Sequence, residues 1–148
     1  MRVGSSASER KAKLSAIGLA LPGAVRADQG DHADFRVGKK VFAYYLCNHH
    51  GDGIVSVCCK VLPGENERLI AASPRKFYMP AYIGPRGWVG LRLDRPTVDW
   101  AEVKELVVGS YLQATPKKLR LLLDVASQPA RDTRPRQEKR ARELNELR

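Results

Sequence analysis

Cysteine is scarce: the 148 residues hold three, Cys47, Cys58 and Cys59. A low, odd count excludes a disulfide framework as the source of stability. Long apolar runs are missing too, and none approaches the roughly 18 residues of a membrane-spanning helix. The nearest candidate, "LSAIGLALPGAV", is short, amphipathic and broken by Pro22-Gly23. Arg10, Lys11 and Lys13 precede it as the first segment of a secretory leader would, but no clean small-x-small cleavage site follows. The expectation is a cytoplasmic protein without membrane association. Nucleotide-binding glycine loops are lacking as well. Gly84, Gly87 and Gly90 have the wrong spacing for a dinucleotide fingerprint, and no strand-to-helix step follows them, so they read as turn and packing glycines. No internal repeat is visible.

Acidic residues are also in short supply, 16 against 26 Lys and Arg, which gives a formal net charge of +10. The excess is uneven: residues 1–20 carry +3, residues 128–148 carry +3, and the long middle carries +4. A basic balance attracts polyanions at long range and says nothing about fold. The apolar share of 43% suits a globular chain with a core rather than a disordered one. The length suits one domain.

The apolar pattern gives the elements. Residues 1–9 are small and polar and are expected to be loose. Leu14, Ile17, Gly18 and Leu21 share one helical face, and Pro22-Gly23 ends the helix. "DHADFRVGKKVFAYY" reads as a hairpin turning on Gly38-Lys39, a two-residue turn of the II′ kind. That register places Phe35 opposite Phe42, with Phe42, Tyr44 and Leu46 along one face. Ile54 to Lys60 forms the next strand, with Val55, Val57 and Cys59 on one side. A short helix follows Pro63-Gly64. "RKFYMPAYIGPRGWVGLRLD" is strand, turn, strand. Asp99 and Glu102 make a capping box flanked by Val98 and Val103, opening a helix whose inward face is Trp100, Val103, Leu106, Val107 and Tyr111 or Ser110. Thr115-Pro116 starts another helix with Leu119, Leu122 and Leu123 as its apolar stripe. After about Ser127 the chain becomes charged and poor in apolar residues. The expected organisation is a single domain over residues 10–127 and a basic tail, helical or disordered, over 128–148. Hairpin strands framed by helices indicate an α+β fold: an antiparallel sheet with helices on one face.

Several side-chain groups invite chemistry. His32 between Asp31 and Asp34 resembles a base held by carboxylates, but no nucleophile, metal cluster or phosphate loop accompanies it. It reads instead as a helix-to-strand connection, with His32 capping or packing beside Phe35. Cys47, His49, His50, Cys58 and Cys59 have zinc-ligand chemistry. With a six-residue loop, however, Cys47 pairs with Ile54, and Cys58 lies four residues on, about 13 Å away. Cys58 and Cys59 also point to opposite faces, with Cys59 in the core. No metal, no cofactor and no catalytic residue is expected. The basic positions carry more. Lys39 and Lys40 sit at a hairpin tip, Arg75 and Lys76 before a strand, Arg86 in a strand turn, and Lys117, Lys118 and Arg120 at the start of a helix. Cations there oppose the helix dipole unless an anion binds between them.

The order of "LPGAV" after a helix, "DHADFRVGKKVFAYY", "YIGPRGWVGLRLD" and "ELVVGSYLQATPKKL" resembles the MmcQ/YjbR family of small bacterial proteins, over roughly residues 10–125. The resemblance implies an α+β fold related to a double-wing DNA-binding domain, and supplies no catalytic residues. One departure is Ala33, where the family usually has Pro after His. The functional expectation is a non-enzymatic module that binds nucleic acid, DNA first, through phosphate contacts from Lys39, Lys40, Arg75, Lys76, Arg86, Lys117, Lys118 and Arg120. The alternative is a small-ligand or anion-binding protein, or an enzyme, with a cleft near His32, Tyr82, Arg86 and Trp88. The basic C-terminal tail is a further candidate contact element for a protein partner.

Overall fold

The computed structural model describes residues 3–48, 51 and 53–117, with side chains from Ala7 onward. The chain divides into two compact units, Met1–Thr115 and Pro116–Arg148. Of the second, only Pro116 and Lys117 are described, so the expected helix stripe at Leu119, Leu122 and Leu123 and the tail over 128–148 lie outside the described residues. The first unit holds helix α1 (Val3–Leu19), strands β1 (Ala24–Gln29), β2 (His32–Val37), β3 (Lys40–Cys47) and β4 (Val55–Lys60), helix α2 (Glu65–Ala72), strands β5 (Phe77–Tyr78) and β6 (Trp88–Arg92), and helix α3 (Trp100–Ala114). The first helix thus begins inside the stretch expected to be loose.

All six strands form one antiparallel sheet in the order β1-β2-β3-β4-β6-β5. The helices α1 and α3 cover one face, which makes the α+β architecture that the hairpin pattern indicates. Strand β1 is an addition. "AVRADQ" pairs with β2 through the two-residue turn Gly30-Asp31, with Gln29 opposite His32. Its only outward sequence signal was weak, because every residue after Ala24 is exposed and edge strands need no apolar alternation. His32 therefore opens a strand instead of lying in a helix-to-strand connection.

The hairpin between β2 and β3 turns on Gly38-Lys39 as expected, and Gly38 takes a φ of +61° that suits glycine. Its register is not the regular one. Phe35 pairs with Ala43 and Arg36 with Val41, so Phe42 is an extra residue, a β-bulge. The Phe35 and Phe42 rings still meet, with centroids 6.3 Å apart. The consequence lies further along. A bulge shifts the in-out alternation by one residue, so Phe42 and Tyr44 point to opposite faces. Phe42 faces α3 and meets Tyr111 edge-on at 5.3 Å. Tyr44 and Leu46 leave that face for the other side of the sheet, where Tyr44 stacks against Trp88 at 5.3 Å. At this residue the Ser110 hydroxyl of α3 bridges β3 and β4, donating to Phe42 O at 2.6 Å and accepting from Lys60 N at 2.9 Å.

Between the sheet and the two helices lies the core: Leu14, Phe35, Phe42, Tyr45, Val57, Val89, Val103, Val107 and Tyr111 are essentially buried. Asp99 caps α3 by accepting from the Ala101 and Glu102 amides. The expected capping box is completed differently, since Glu102 turns its carboxylate to Lys76 at 3.0 Å. Cys47 pairs with Val55, one residue from the expected register, because the loop closes on Asn48 N donating to Ile54 O. Cys59 is in the core, where burial beside Cys58 pushes its thiol pKa well up.

Candidate functional site

Strand ends decide which cations share a surface. Strand β3 begins at Lys40, β4 ends at Lys60, and Lys60 is paired with Trp88, the first residue of β6. Lys39, Lys40, Lys60 and Arg86 therefore lie at one end of the sheet, across strands spaced about 4.8 Å apart. All four are exposed. Lys40 and Lys60 line one shallow groove of about 320 Å³ with Tyr44, Trp88 and Gln113. Lys60 and Arg86 line a second groove with Asn66, Glu67 and Gln113. Lys60 is the cation common to both, beside Gln113, and was not among the expected contacts. The signal for it was present: it is the polar end of an otherwise apolar strand.

The other expected cations are elsewhere. Arg75 and Lys76 precede β5, and Lys76 O accepts from Arg92 N at the far end of β6. That places them at the opposite end of the sheet, and Lys76 is paired with Glu102. Lys117 is exposed at the start of the second unit. Lys118 and Arg120 lie outside the described residues.

The strand arginines are neutralised locally. Side chains two apart on a strand share a face, and three Arg/Asp pairs use that spacing. Arg26 pairs with Asp28 at 3.0 Å, Arg36 with Asp34 at 2.9 Å, and Arg92 with Asp94 at 2.9 Å. The buried Asp34 accepts from both Nε and an Nη of Arg36, and this hydrogen bond and charge raise the guanidinium pKa. Burial pushes the Asp94 carboxyl up, but the Arg92 hydrogen bonds and charge outweigh it and hold the carboxyl below its ordinary range. Among the described residues no ion pair involves Lys39, Lys40, Lys60 or Arg86. This end of the sheet thus gathers four exposed cations that no ion pair among the described residues neutralises.

The sheet face turned away from α1 and α3 holds a pocket of about 300 Å³. Strand side chains make its floor: His32, Asp34, Tyr44 and Leu46. The segment after β5 makes its wall, with Tyr78, Pro80, Tyr82 and Ile83. Three features hold that wall in place. Gly90 lies beneath the Tyr78 ring, so closely that a Cβ there would sit 2.3 Å from Tyr78 Cε1. The Tyr78 hydroxyl is 2.7 Å from Ser56 Oγ. The buried Asn66 of α2 donates to the carbonyls of Gly84 and Trp88 at 3.0 and 3.1 Å, pinning the loop between β5 and β6. His32 Nδ1 accepts from Cys47 N at 3.1 Å, which in the neutral imidazole leaves the proton on Nε2. Of the four residues expected around a cleft, His32 and Tyr82 line this pocket. Arg86 lines the second groove instead, and Trp88 is buried behind Tyr44, lining the first groove. Tyr44, Leu46 and Tyr78 were not expected here. The unrecognised bulge hid the first two.

A family model described as YjbR matches residues 19–113 of the chain, a span that runs from the end of α1 into the last turn of α3. No curated protein matches. Among solved structures, the crystal structure of Deinococcus radiodurans protein DR2400, whose family-model domain is DUF419, matches with a TM-score of 0.55 and 20% identity. The match covers 85% of this chain and 83% of that one. At that identity the likeness concerns the fold.

Proposed function

The chain belongs to the YjbR family, and from that premise we propose that it is a non-enzymatic, cytoplasmic module that binds DNA through its phosphates. One observation carries the reading: Lys39, Lys40, Lys60 and Arg86 lie at one end of the sheet with no ion pair among the described residues, while the strand arginines are neutralised by aspartates two positions away. On this reading the exposed Gly38-Lys39 turn serves as the wing of a double-wing domain. Lysines on strand ends and turns meet phosphate oxygens as point charges, which supplies affinity and register without reading bases. The described helices give no outward row of Arg, Asn and Gln suited to base edges.

The test is fluorescence anisotropy of a labelled random-sequence DNA duplex with the full chain, repeated across salt concentrations. Each phosphate contact contributes about 0.9 to the slope of log affinity against log salt. Changing Lys39, Lys40, Lys60 and Arg86 together to Gln is expected to flatten that slope by about 3.6. An unchanged slope in the fourfold variant removes this end of the sheet from the interface, and no binding by the unaltered chain rejects the reading entirely.

A further inference from the structure

We propose that the pocket on the open sheet face binds a planar, uncharged nitrogen heterocycle the size of a nucleobase. Its volume of about 300 Å³ is at the small end of ligand pockets, enough for one fused ring system. Tyrosines at positions 44, 78 and 82 provide aromatic surface, and Leu46, Pro80 and Ile83 provide apolar surface, the combination on which flat rings stack. Besides the tyrosine hydroxyls, its polar side chains are Gln29, His32 and Asp34. The Gln29 amide both donates and accepts, which suits the mixed donor and acceptor edge of a heterocycle better than a hydrocarbon. No Lys or Arg lines the pocket, and the Asp34 carboxylate is already held by Arg36. An anionic group therefore has no counter-charge inside it.

Tyr82 supplies an independent observation. It is 82% exposed, the most exposed large hydrophobic among the described residues, and it takes a φ of +68°, a conformation uncommon for a bulky side chain. A largely exposed aromatic side chain on a left-handed backbone lines this pocket. The wall it belongs to is fixed in place by Asn66 and Gly84 rather than left to form on binding. Tyr44 is also shared between this pocket and the groove of Lys40 and Lys60. A phosphate attached to the bound ring would thus have cations beside it, outside the pocket. The inference stands apart from the phosphate reading, since the ring itself needs no charge.

The probe is 2-aminopurine riboside, an uncharged fluorescent purine quenched by aromatic stacking, titrated into the full chain. Saturable quenching is expected, with affinity falling about tenfold or more in Tyr82→Ala, the order that loss of one stacking partner gives. Tyr82 is exposed, so the variant should keep the thermal midpoint of the parent, which circular dichroism checks. Absence of saturable quenching in the unaltered chain, or equal affinity in Tyr82→Ala, overturns the proposal. A single-stranded trinucleotide with 2-aminopurine at its centre identifies the source of the ring. Tighter binding than the free riboside, with the gain lost in the Lys40→Gln/Lys60→Gln double variant, assigns it to a nucleic-acid strand. Equal affinity assigns it to a free heterocycle. Either result supports the pocket. Failure here leaves the salt slope on duplex DNA, which tests the phosphate reading, unaffected.

Discussion

Tyr45 carries the clearest pH dependence of any single residue. It is 2% exposed, under α1, and its hydroxyl donates to Ala7 O at 3.3 Å. Burial first, then the neighbouring Cys47, pushes its pKa up to about 12. In the unfolded chain a tyrosine titrates near 10. The fold therefore favours the neutral phenol. Its contribution is complete below about pH 10 and is lost as pH rises from about 10 to 12. The denaturant midpoint is expected to fall across that window by the equivalent of about 2 kcal/mol. Tyr45→Phe should flatten that part of the profile. A parent midpoint that does not change between those pH values would contradict the assignment. The arginine pairs belong to this scale too. "RAD", "DFR" and "RLD" state in the sequence that those guanidinium groups have a carboxylate on the same strand face.

At the scale of one element, β3 is decisive, and its bulge depends on α3. Ser110 satisfies two backbone groups, the carbonyl of the bulged Phe42 and the amide of Lys60 on β4. Ser110→Ala would leave the buried Phe42 carbonyl and the part-buried Lys60 amide without that partner, and an unsatisfied buried group costs about 1–3 kcal/mol. A loss of about 2–4 kcal/mol in chemical denaturation is expected. Ser110→Thr, which keeps the hydroxyl, should recover part of it. Equal loss in both would point to packing instead of the hydrogen bonds. The regular two-residue alternation read from "KVFAYYLC" places Phe42 and Tyr44 together. That was reasonable, because nothing local marks a bulge without glycine. The extra residue is stabilised by a helix some 68 positions away in sequence, which no local pattern reveals. Strand β1 was missed for the opposite reason. As an exposed edge it lacks the apolar alternation by which strands are recognised.

Across the whole first unit, α1 stands outside most of the family match yet completes the core. Leu14 is fully buried, and Arg10 donates to the carbonyls of Leu93 and Arg95 at the end of β6. Lys11 lies over the Tyr45 ring at 5.5 Å. Removing residues 1–19 would expose Phe35 and Tyr45, two of the largest buried side chains. Burial of each is worth about 1.5–3 kcal/mol, which is a large fraction of a small domain's stability. The trimmed chain is expected to lose its cooperative thermal transition by circular dichroism. A sharp transition near that of the full chain would show that the matched span folds alone.

Composition, helix caps and turn residues determined a good deal unaided: the α+β class, the Gly38-Lys39 turn, the Asp99 cap, the alternation of Val55, Val57 and Cys59, and the family. These are local properties, in which the residue and its near neighbours decide the conformation. The surfaces were settled only by tertiary structure. Pairing order brought Lys60 beside Lys40 and sent Arg75 and Lys76 to the other end of the sheet. The bulge turned Tyr44 and Leu46 away from the helices, and Asn66 fixed the loop that closes the pocket over them. Each of these depends on which distant strand or helix supplies a hydrogen-bond partner, and that information is not local to any stretch of the chain.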